Sequence, residues 1–443
     1  MWLARSRDGG RTWEAAAPVY APPPDPHQFD NQWAPAVAAG GGRVAVAWVD
    51  FRDESWDVYL AVSRDGGRTF SSPRRVDDAR GPYERLHTDP VLALLPPGSP
   101  QAGPPALAAA WTDLRDRRPD TDVRWAVSRD GGSTWDARGP VHPGDPSPVE
   151  SGTVAPANQW APSLAVDRRG RLWVAWQQLD KGTGRNRVMV RRLGSRGWGG
   201  EGDDPGPPLA VNPSHGGNQW RPRLAAGSDG RLAVVWEEDG TGSSRGWRLR
   251  AALIDTDRDR VGPATTVDPS GPAWAHQQRA SAAWTAAGLV VAWQDDRSGT
   301  LRVHVTVGWP EGARLRFAPP AVVPSGRAPV RPATGTAAGG MAPQEAGSSA
   351  GDGGRPDLGP ALEPALVTWA DPGSSRAVWV GIAWQGPTTA GGSGVWFTRF
   401  RLTGVLHPPS AGPHRCNEGT SRVNRQPTVP GEDPAGRRRP PGC

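Results

Sequence analysis

Six short apolar runs, each closing on a tryptophan, recur along the chain: Val44–Trp48, Ala108–Trp111, Leu172–Trp176, Leu232–Trp236, Leu289–Trp293 and Ala377–Trp384. Their tryptophans are 63, 65, 60, 57 and 91 residues apart. The long last interval contains a Gly/Ala/Pro/Ser stretch, 324–357, and shortens to 57 once those 34 residues are set aside. A regular period of this size over 443 residues points to one repeat architecture, in which each unit buries its apolar face only against its neighbours.

Within each period the spacing predicts four short strands. In the first they are A (Ala34–Ala39), B (Arg43–Val49), C (Trp56–Val62) and D (Pro73–Val76). An Asn-Gln-Trp signature precedes strand A at 31–33, 158–160 and 218–220. Helices are disfavoured because Gly 58 and Pro 49 put a breaker at about every fourth residue. Disorder is disfavoured by 23 Trp, since disordered chains are poor in aromatics. The expectation is an all-β fold, a β-propeller of four-stranded antiparallel blades. Six blades are complete, and residues 1–20 hold only strands C and D of a half blade, the first and incomplete one of seven repeats. The propeller region spans 1–407 with a disordered insertion at 324–357, and 408–443 reads as a disordered, basic, Pro-rich tail.

Charge narrows the partners. The net charge is +6, and all basic residues but Lys181 are arginine. The tail alone carries six Arg against three acids, so no basic face is left on the body for nucleic acid. No apolar run reaches the ~18 residues of a membrane span. Cys416 and Cys443 are the only cysteines, both in the tail, and no metal-ligand spacing occurs. The opening residues run straight into a strand and turn without a signal peptide, which suggests further sequence upstream.

One turn is repeated three times between strands C and D: Ser6-Arg-Asp8-Gly-Gly10-Arg-Thr12-Trp13, Ser63-Arg-Asp65-Gly-Gly67-Arg-Thr69-Phe70 and Ser128-Arg-Asp130-Gly-Gly132-Ser-Thr134-Trp135. Asp accepts backbone N–H bonds within such a turn, glycine supplies the positive φ, and the threonine hydroxyl completes the local network. The pattern resembles the Asp-box, or BNR repeat, of the sialidase superfamily, and the period extends that resemblance over 1–407. It implies a propeller whose boxes lie away from the catalytic face. It also implies three arginines for a carboxylate, an Asp acid/base and a late Tyr–Glu nucleophile pair. The tyrosines here are Tyr20, Tyr59 and Tyr83, none of them late, and the family's Arg-Ile-Pro is absent. Standard sialidase catalysis is therefore not expected.

Strand parity locates the opposite face. With boxes in the C–D turns, the B–C and D–A connections share the other side. Strand B exits there supply Asp50, Arg52, Asp113, Arg115, Glu237, Glu238, Asp295 and Arg297, and strand A entries supply Trp33, Trp160, Trp220, Arg221 and Arg279. His27, His87, His215 and His276 also precede an A strand. The functional reading takes Asp50, Asp113, Glu237, Glu238 and Asp295 as carboxylates for acid/base chemistry. Arg52, Arg115, Arg221, Arg279 and Arg297 form forks for an acidic ligand, and Trp33, Trp160 and Trp220 are platforms for sugar. A feature present in three blades cannot be catalytic in all of them, so Trp-x-Asp-x-Arg reads as a loop cap and Asn-Gln-Trp as glue between blades. The break in symmetry at Glu237-Glu238-Asp239 is the stronger hint. Together with the resemblance this implies a secreted or envelope-associated monomer that binds a glycan or an extracellular protein, with no cofactor and no metal. A glycoside hydrolase with altered catalytic groups, and a purely structural propeller, are the alternatives.

Overall fold

The computed structural model describes residues 1–8, 12–20, 32–52, 55–78, 86–95, 106–114, 121–141, 158–180, 182–194, 205–214, 216–227, 230–239, 246–323, 364–371, 374–387 and 393–403. The chain divides into a unit Met1–Leu406 and a unit His407–Cys443. The expected insertion at 324–357 and the tail at 408–443 lie outside the described residues.

Every described element is a strand. An N-terminal ribbon pairs β1 (Trp2–Leu3) with β2 (Ala17–Pro18). The first sheet runs β3 (Gln32–Gly40), β4 (Arg43–Asp50), β5 (Asp57–Ser63), β6 (Arg74–Arg75). The second runs β7 (Leu86–Leu95), β8 (Ala106–Leu114), β9 (Asp122–Ser128), β10 (Asp136–Pro140). The third runs β11 (Gln159–Val166), β12 (Leu172–Asp180), β13 (Arg185–Arg192), β14 (Leu209–Ala210). In the fourth, β15 (Gln219–Ala226), β16 (Leu232–Asp239) and β17 (Trp247–Asp255) are followed by two short outer pieces, β18 (Arg260–Val261) and β19 (Thr265–Thr266). The fifth repeats this with β20 (Gln277–Thr285), β21 (Gly288–Asp295), β22 (Arg302–Glu311), β23 (Arg314–Phe317) and β24 (Ala321–Val322). The sixth has β25 (Ala365–Asp371), β26 (Ser374–Pro387) and β27 (Ser393–Thr403). All pairings within the sheets are antiparallel and follow chain order, the meander that the sequence period predicts, and one isolated parallel bridge, Trp56 to Leu86, joins the first sheet to the second. The fourth strands of the first and third sheets are two residues long, shorter than expected; in the fourth and fifth sheets that strand is split in two, and among the described residues the sixth sheet has three strands.

The cores lie between sheets, and period-2 alternation explains why. In β12, Leu172, Val174 and Trp176 join the second sheet's apolar residues, while Trp173 and Ala175 join the fourth sheet's. In β16, Leu232, Val234 and Trp236 face back to the third sheet, and Ala233 and Val235 face on to the fifth. Each second strand is thus buried on both faces, which is why it reads as an unbroken apolar run. The repeated tryptophans Trp48, Trp111, Trp176, Trp236 and Trp293 are fully buried and look towards the element before them. For Trp48 that element is the ribbon, through Val19 and Leu3.

The first sheet shows which ends of the strands lie together. The Gly66 amide, in the turn after β5, donates to the Gly42 carbonyl, in the turn after β3, at 2.9 Å. The turns after first and third strands therefore share one end. The entries of first strands and the exits of second strands share the other.

Candidate functional site

At the turn end, the three Ser-x-Asp turns use one hydrogen-bond set. Asp65 accepts from the Thr69 hydroxyl at 2.7 Å, the Thr69 and Arg68 amides at 3.0 and 2.9 Å, and the Ser63 hydroxyl at 2.7 Å. Asp130 accepts the equivalent four from Thr134, Ser133 and Ser128. Asp8 accepts from the Thr12 amide and hydroxyl and from Ser6. Gly67 and Gly132 adopt φ of 82° and 94°, and Trp135 is buried while Phe70 and Trp13 are half-buried. Gly10 lies outside the described residues. The Thr69 hydroxyl and amide hold the Asp65 carboxyl well below its ordinary range, and the same donors from Thr134 take Asp130 down to about 2. These acids are committed to their own turns.

At the opposite end, the expected shared mouth of carboxylates is divided between two faces. In the first five sheets the tryptophan indole of the second strand donates to the residue two positions on: Trp48 to Asp50 (2.7 Å), Trp111 to Asp113 (2.9 Å), Trp176 to Gln178 (3.1 Å), Trp236 to Glu238 (3.2 Å) and Trp293 to Asp295 (3.2 Å). Residues i and i+2 of a strand share a face, so these acids sit with the tryptophan in the seam with the preceding element. Arg52 closes the first seam: its amide and guanidinium donate to Asp50, and the guanidinium lies 4.2 Å and 4.0 Å from the Tyr20 and Tyr59 ring centroids. Burial pushes Asp50 up, but the bonds from Arg52 and Trp48 outweigh it and hold the carboxyl low. Arg297 does the same for Asp295 and also bonds Asp268. Asp50, Asp113, Glu238 and Asp295, with Arg52 and Arg297, are placed by the structure in seams. Two of the three tyrosines are used there as well. Arg115 and Tyr83 lie outside the described residues.

The Asn-Gln pair works across seams too. Gln159, Gln219 and Gln277 accept the backbone amides of Val123, Val188 and Leu249 in the preceding sheet at 3.4, 3.0 and 3.2 Å. Asn158 and Asn218 accept those of Thr121 and Asn186. In the second sheet His87 takes the glutamine's place, opposite Asp113 in register. Its Nε2 lies 3.0 Å from Asp113 Oδ2, and its Nδ1 lies 2.7 Å from the Trp56 carbonyl and 3.6 Å from Asp57. Burial pushes His87 down, yet bonds to Asp113 and Asp57 and the charges of Asp113 and Asp77 raise it to about 10. Asp57, Asp77 and His87 offer ligand atoms within 4.8 Å of one another, the one such group among the described residues. Arg75 already sits on both carboxylates, at 3.1 Å from Asp57 and 2.8 Å from Asp77, so a guanidinium is the cation there. The remaining loop histidines His27 and His215 lie outside the described residues.

The other face of each second strand carries Val49, Thr112, Gln177, Glu237 and Gln294, one residue after the tryptophan. It meets a feature the sequence reading missed. The inner, first strand of each of the first five sheets bulges one residue after the Asn-Gln-Trp position, at Ala34, Asp89, Ala161, Arg221 and Arg279, with φ of 49°, 51°, 53°, 45° and 53°. A non-glycine residue in this left-handed region costs about 1–2 kcal/mol. In four of the five, proline follows and removes the amide that a bulge leaves unpaired. The strain is held by bonds from the preceding sheet: the Ala161, Arg221 and Arg279 amides donate to Thr112, Gln177 and Glu237 at 3.2, 3.3 and 2.6 Å.

At the seam of fourth and fifth sheets this repeated frame carries unrepeated charges. Glu237 is fully buried; one oxygen accepts the Arg279 amide and the other the Arg221 guanidinium at 3.0 Å. Arg223, two residues beyond the bulge, stands where the third and fifth sheets have Ser163 and Ser281, whose hydroxyls accept amides from the next sheet. Arg223 is half-buried; its loss of water lowers it, Glu237 and the exposed Asp89 oppose that, and Arg221 adds to it. Arg279 is lowered by burial, then by Arg221, with Glu237 opposing and Arg223 adding. Three guanidiniums therefore share the field of Glu237, and Arg223 also feels Asp89. Arg221, Arg279 and Glu237 were sequence candidates and Thr88-Asp89 is one of the polar strand A entries on the same face; Arg223 was not a candidate, although Trp220-Arg-Pro-Arg is the string that marks it.

The rim above is aromatic. Trp220 and Trp247 rings are 5.0 Å apart, and His276 meets Trp247 edge-on at 5.4 Å. Asp296 binds His276 twice, accepting its amide at 2.7 Å and lying 3.0 Å from Nδ1. Trp33 is 41% exposed and packs edge-on against Trp56, itself 4.7 Å from Phe51. Trp160 is half-buried. Among the described residues no helix is long and apolar enough to cross a membrane.

No protein-family model matches the chain, and no curated protein matches it. Among solved structures it is similar to the α-L-arabinofuranosidase Arb93A of Fusarium graminearum, with a TM-score of 0.47 and 14% identity over 86% of this chain and 97% of that one. It is also similar to a thermostable family-43 glycoside hydrolase, with a TM-score of 0.37 and 11% identity over 67% of this chain and 95% of the other. A third is the endo-arabinase of Bacteroides thetaiotaomicron, with a TM-score of 0.36 and 12% identity over 65% and 96%.

Proposed function

We propose that the chain is a sialidase-like propeller that binds an acidic glycan at the seam of its fourth and fifth sheets, without standard sialidase catalysis. The observation that carries this is the break in the repeat. Five inner strands present the same strained bulge, and only here do arginines occupy two successive bulges, Arg221 and Arg279, with Arg223 beside them and Glu237 beneath. Three guanidiniums meet two carboxylates here, and partial burial lowers both Arg223 and Arg279, so a further negative charge is favoured beside them. A carboxylate accepted by two of these forks relieves that strain, and the Trp220–Trp247 pair offers an apolar face to a sugar ring.

On this reading the three Ser-x-Asp turns are Asp-boxes, the six sheets are blades, and the ribbon supplies the last two strands of a further one. An extracellular or envelope location suits such a ligand. Titration calorimetry against acidic and neutral oligosaccharides tests the reading. Acidic ones should bind, and Arg221→Ala or Arg279→Ala should each weaken binding about 10- to 100-fold, the worth of a bond to a charged group. Equal binding of neutral and acidic sugars, or turnover of a fluorogenic sialoside, refutes it. The exposed Asp89 supports a second reading, a hydrolase pairing that carboxylate with Glu237, which hydrolysis of a glycoside panel lost in Asp89→Asn would favour.

A further inference from the structure

The seam that holds the arginines also holds an oriented base. Asp296 accepts the His276 amide and lies 3.0 Å from Nδ1, which fixes the ring and leaves Nε2 as the nitrogen able to take a proton. His276 opens the strand on which Arg279 is the bulged residue, three positions on, and Gln277 between them ties that strand to Leu249 of the fourth sheet. Trp247 bridges the imidazole to Trp220, whose next residue is Arg221. A base held by a carboxylate and a set of guanidiniums thus belong to one seam. Neither a late tyrosine nor a cofactor is needed for the chemistry this pairing suits. The hydrogen on the carbon next to a carboxylate is hard to remove because the resulting enolate is dianionic. Guanidiniums on that carboxylate carry the added charge.

We infer that the seam is a lyase site for glycans containing 4-linked uronic acid, with His276 as the general base, an inference that rests on the acidic-glycan reading above. The arginines hold the uronate carboxylate. His276 Nε2 takes the C5 proton, and the pair from the C5–H bond becomes the C4=C5 double bond. The C4–O bond breaks with its electron pair on the leaving oxygen, which takes a proton from water, and His276 then returns its own proton to solvent. Asp296 acts through His276 as a positioning residue.

The test uses the full chain with polygalacturonate, alginate and chondroitin. Chain cleavage is followed by the ultraviolet absorbance of the conjugated double bond, and binding by calorimetry. At least one polymer should yield the unsaturated product. His276→Ala and His276→Gln should then cut the rate about 10²- to 10⁴-fold, the usual worth of a general base, while retaining affinity. Asp296→Asn should lower kcat with little change in KM. Binding of a uronate polymer without double-bond formation, or cleavage unaffected in both His276 variants, overturns the lyase and leaves the acidic-glycan reading standing. Absence of binding as well as cleavage overturns both.

Discussion

His87 gives the most quantitative handle on the molecule. It is fully buried between Asp57 and Asp113, and in the first, third, fourth and fifth sheets the same register position is Gln32, Gln159, Gln219 and Gln277. A neutral amide therefore suffices for the frame, whereas the second sheet uses a charge. Its folded pKa of about 10 exceeds the ordinary 6.5, so the group is an imidazolium in the folded chain throughout the neutral range. The stabilisation is fully present below pH 6.5 and is lost as pH rises through 10, because the unfolded chain releases this proton earlier. At about 1.4 kcal/mol per pH unit, that gap sets an upper bound of about 5 kcal/mol. His87→Ala removes the imidazolium from between Asp113 and Asp57, leaving Asp57 to Arg75 and Asp113 to Trp111 and the more distant Arg124, and should cost about 3–5 kcal/mol. His87→Gln restores the amide of the sister sheets and should cost about 1.5–3 kcal/mol, the worth of one bond to a charged group. Urea denaturation of wild type and both variants at a series of pH values measures this. The wild-type advantage over His87→Gln should be largest below pH 6.5 and shrink towards pH 10. A flat difference across that window, or a His87→Ala cost below about 1 kcal/mol, would refute the buried imidazolium.

Asp130 offers the opposite sign. Its pKa falls from 3.8 to about 2, so its contribution is present above 3.8 and lost as pH drops through 2; the Tm gap between wild type and Asp130→Asn should close over that range in a thermal melt. Gly246 borders Trp247, and a Cβ there would meet the Ala275 carbonyl, so Gly246→Ala should displace Trp247 and weaken acidic-glycan binding at least about tenfold by calorimetry. Glu237→Gln keeps an acceptor for the Arg279 amide but removes the only fully buried negative charge among the arginines, and should tighten acidic-glycan binding several-fold in low salt. A loss of affinity in that variant would mean that the arginines depend on Glu237 for their positions.

Much of the scaffold was legible in the chain because one unit recurs. The six tryptophan-ended runs become second strands, Asn-Gln becomes the tie between sheets, and Ser-x-Asp becomes a turn closed by its own side chains. The carboxylate mouth was grouped too broadly. Asp50 and Glu238 lie two residues after a buried tryptophan and Glu237 lies one after, so alternation sends them to opposite faces. The string Trp236-Glu-Glu already carries that alternation. Arg223 and Asp89 could not be placed in the same way, because a bulge shifts the alternation by one residue and only the X-Pro pairs hint at it.

Local pattern, then, is enough to determine which residues form strands and which way a side chain faces. Both depend on neighbours within a few positions of the chain, and the repeat states them several times over. Which seam carries the chemistry is different in kind. Arg221, Glu237 and Arg279 span 59 residues, and His276 joins Asp296 across a whole hairpin. Their meeting depends on how one sheet's strained bulge borrows a hydrogen bond from the sheet before it, and only the packed tertiary structure decides that.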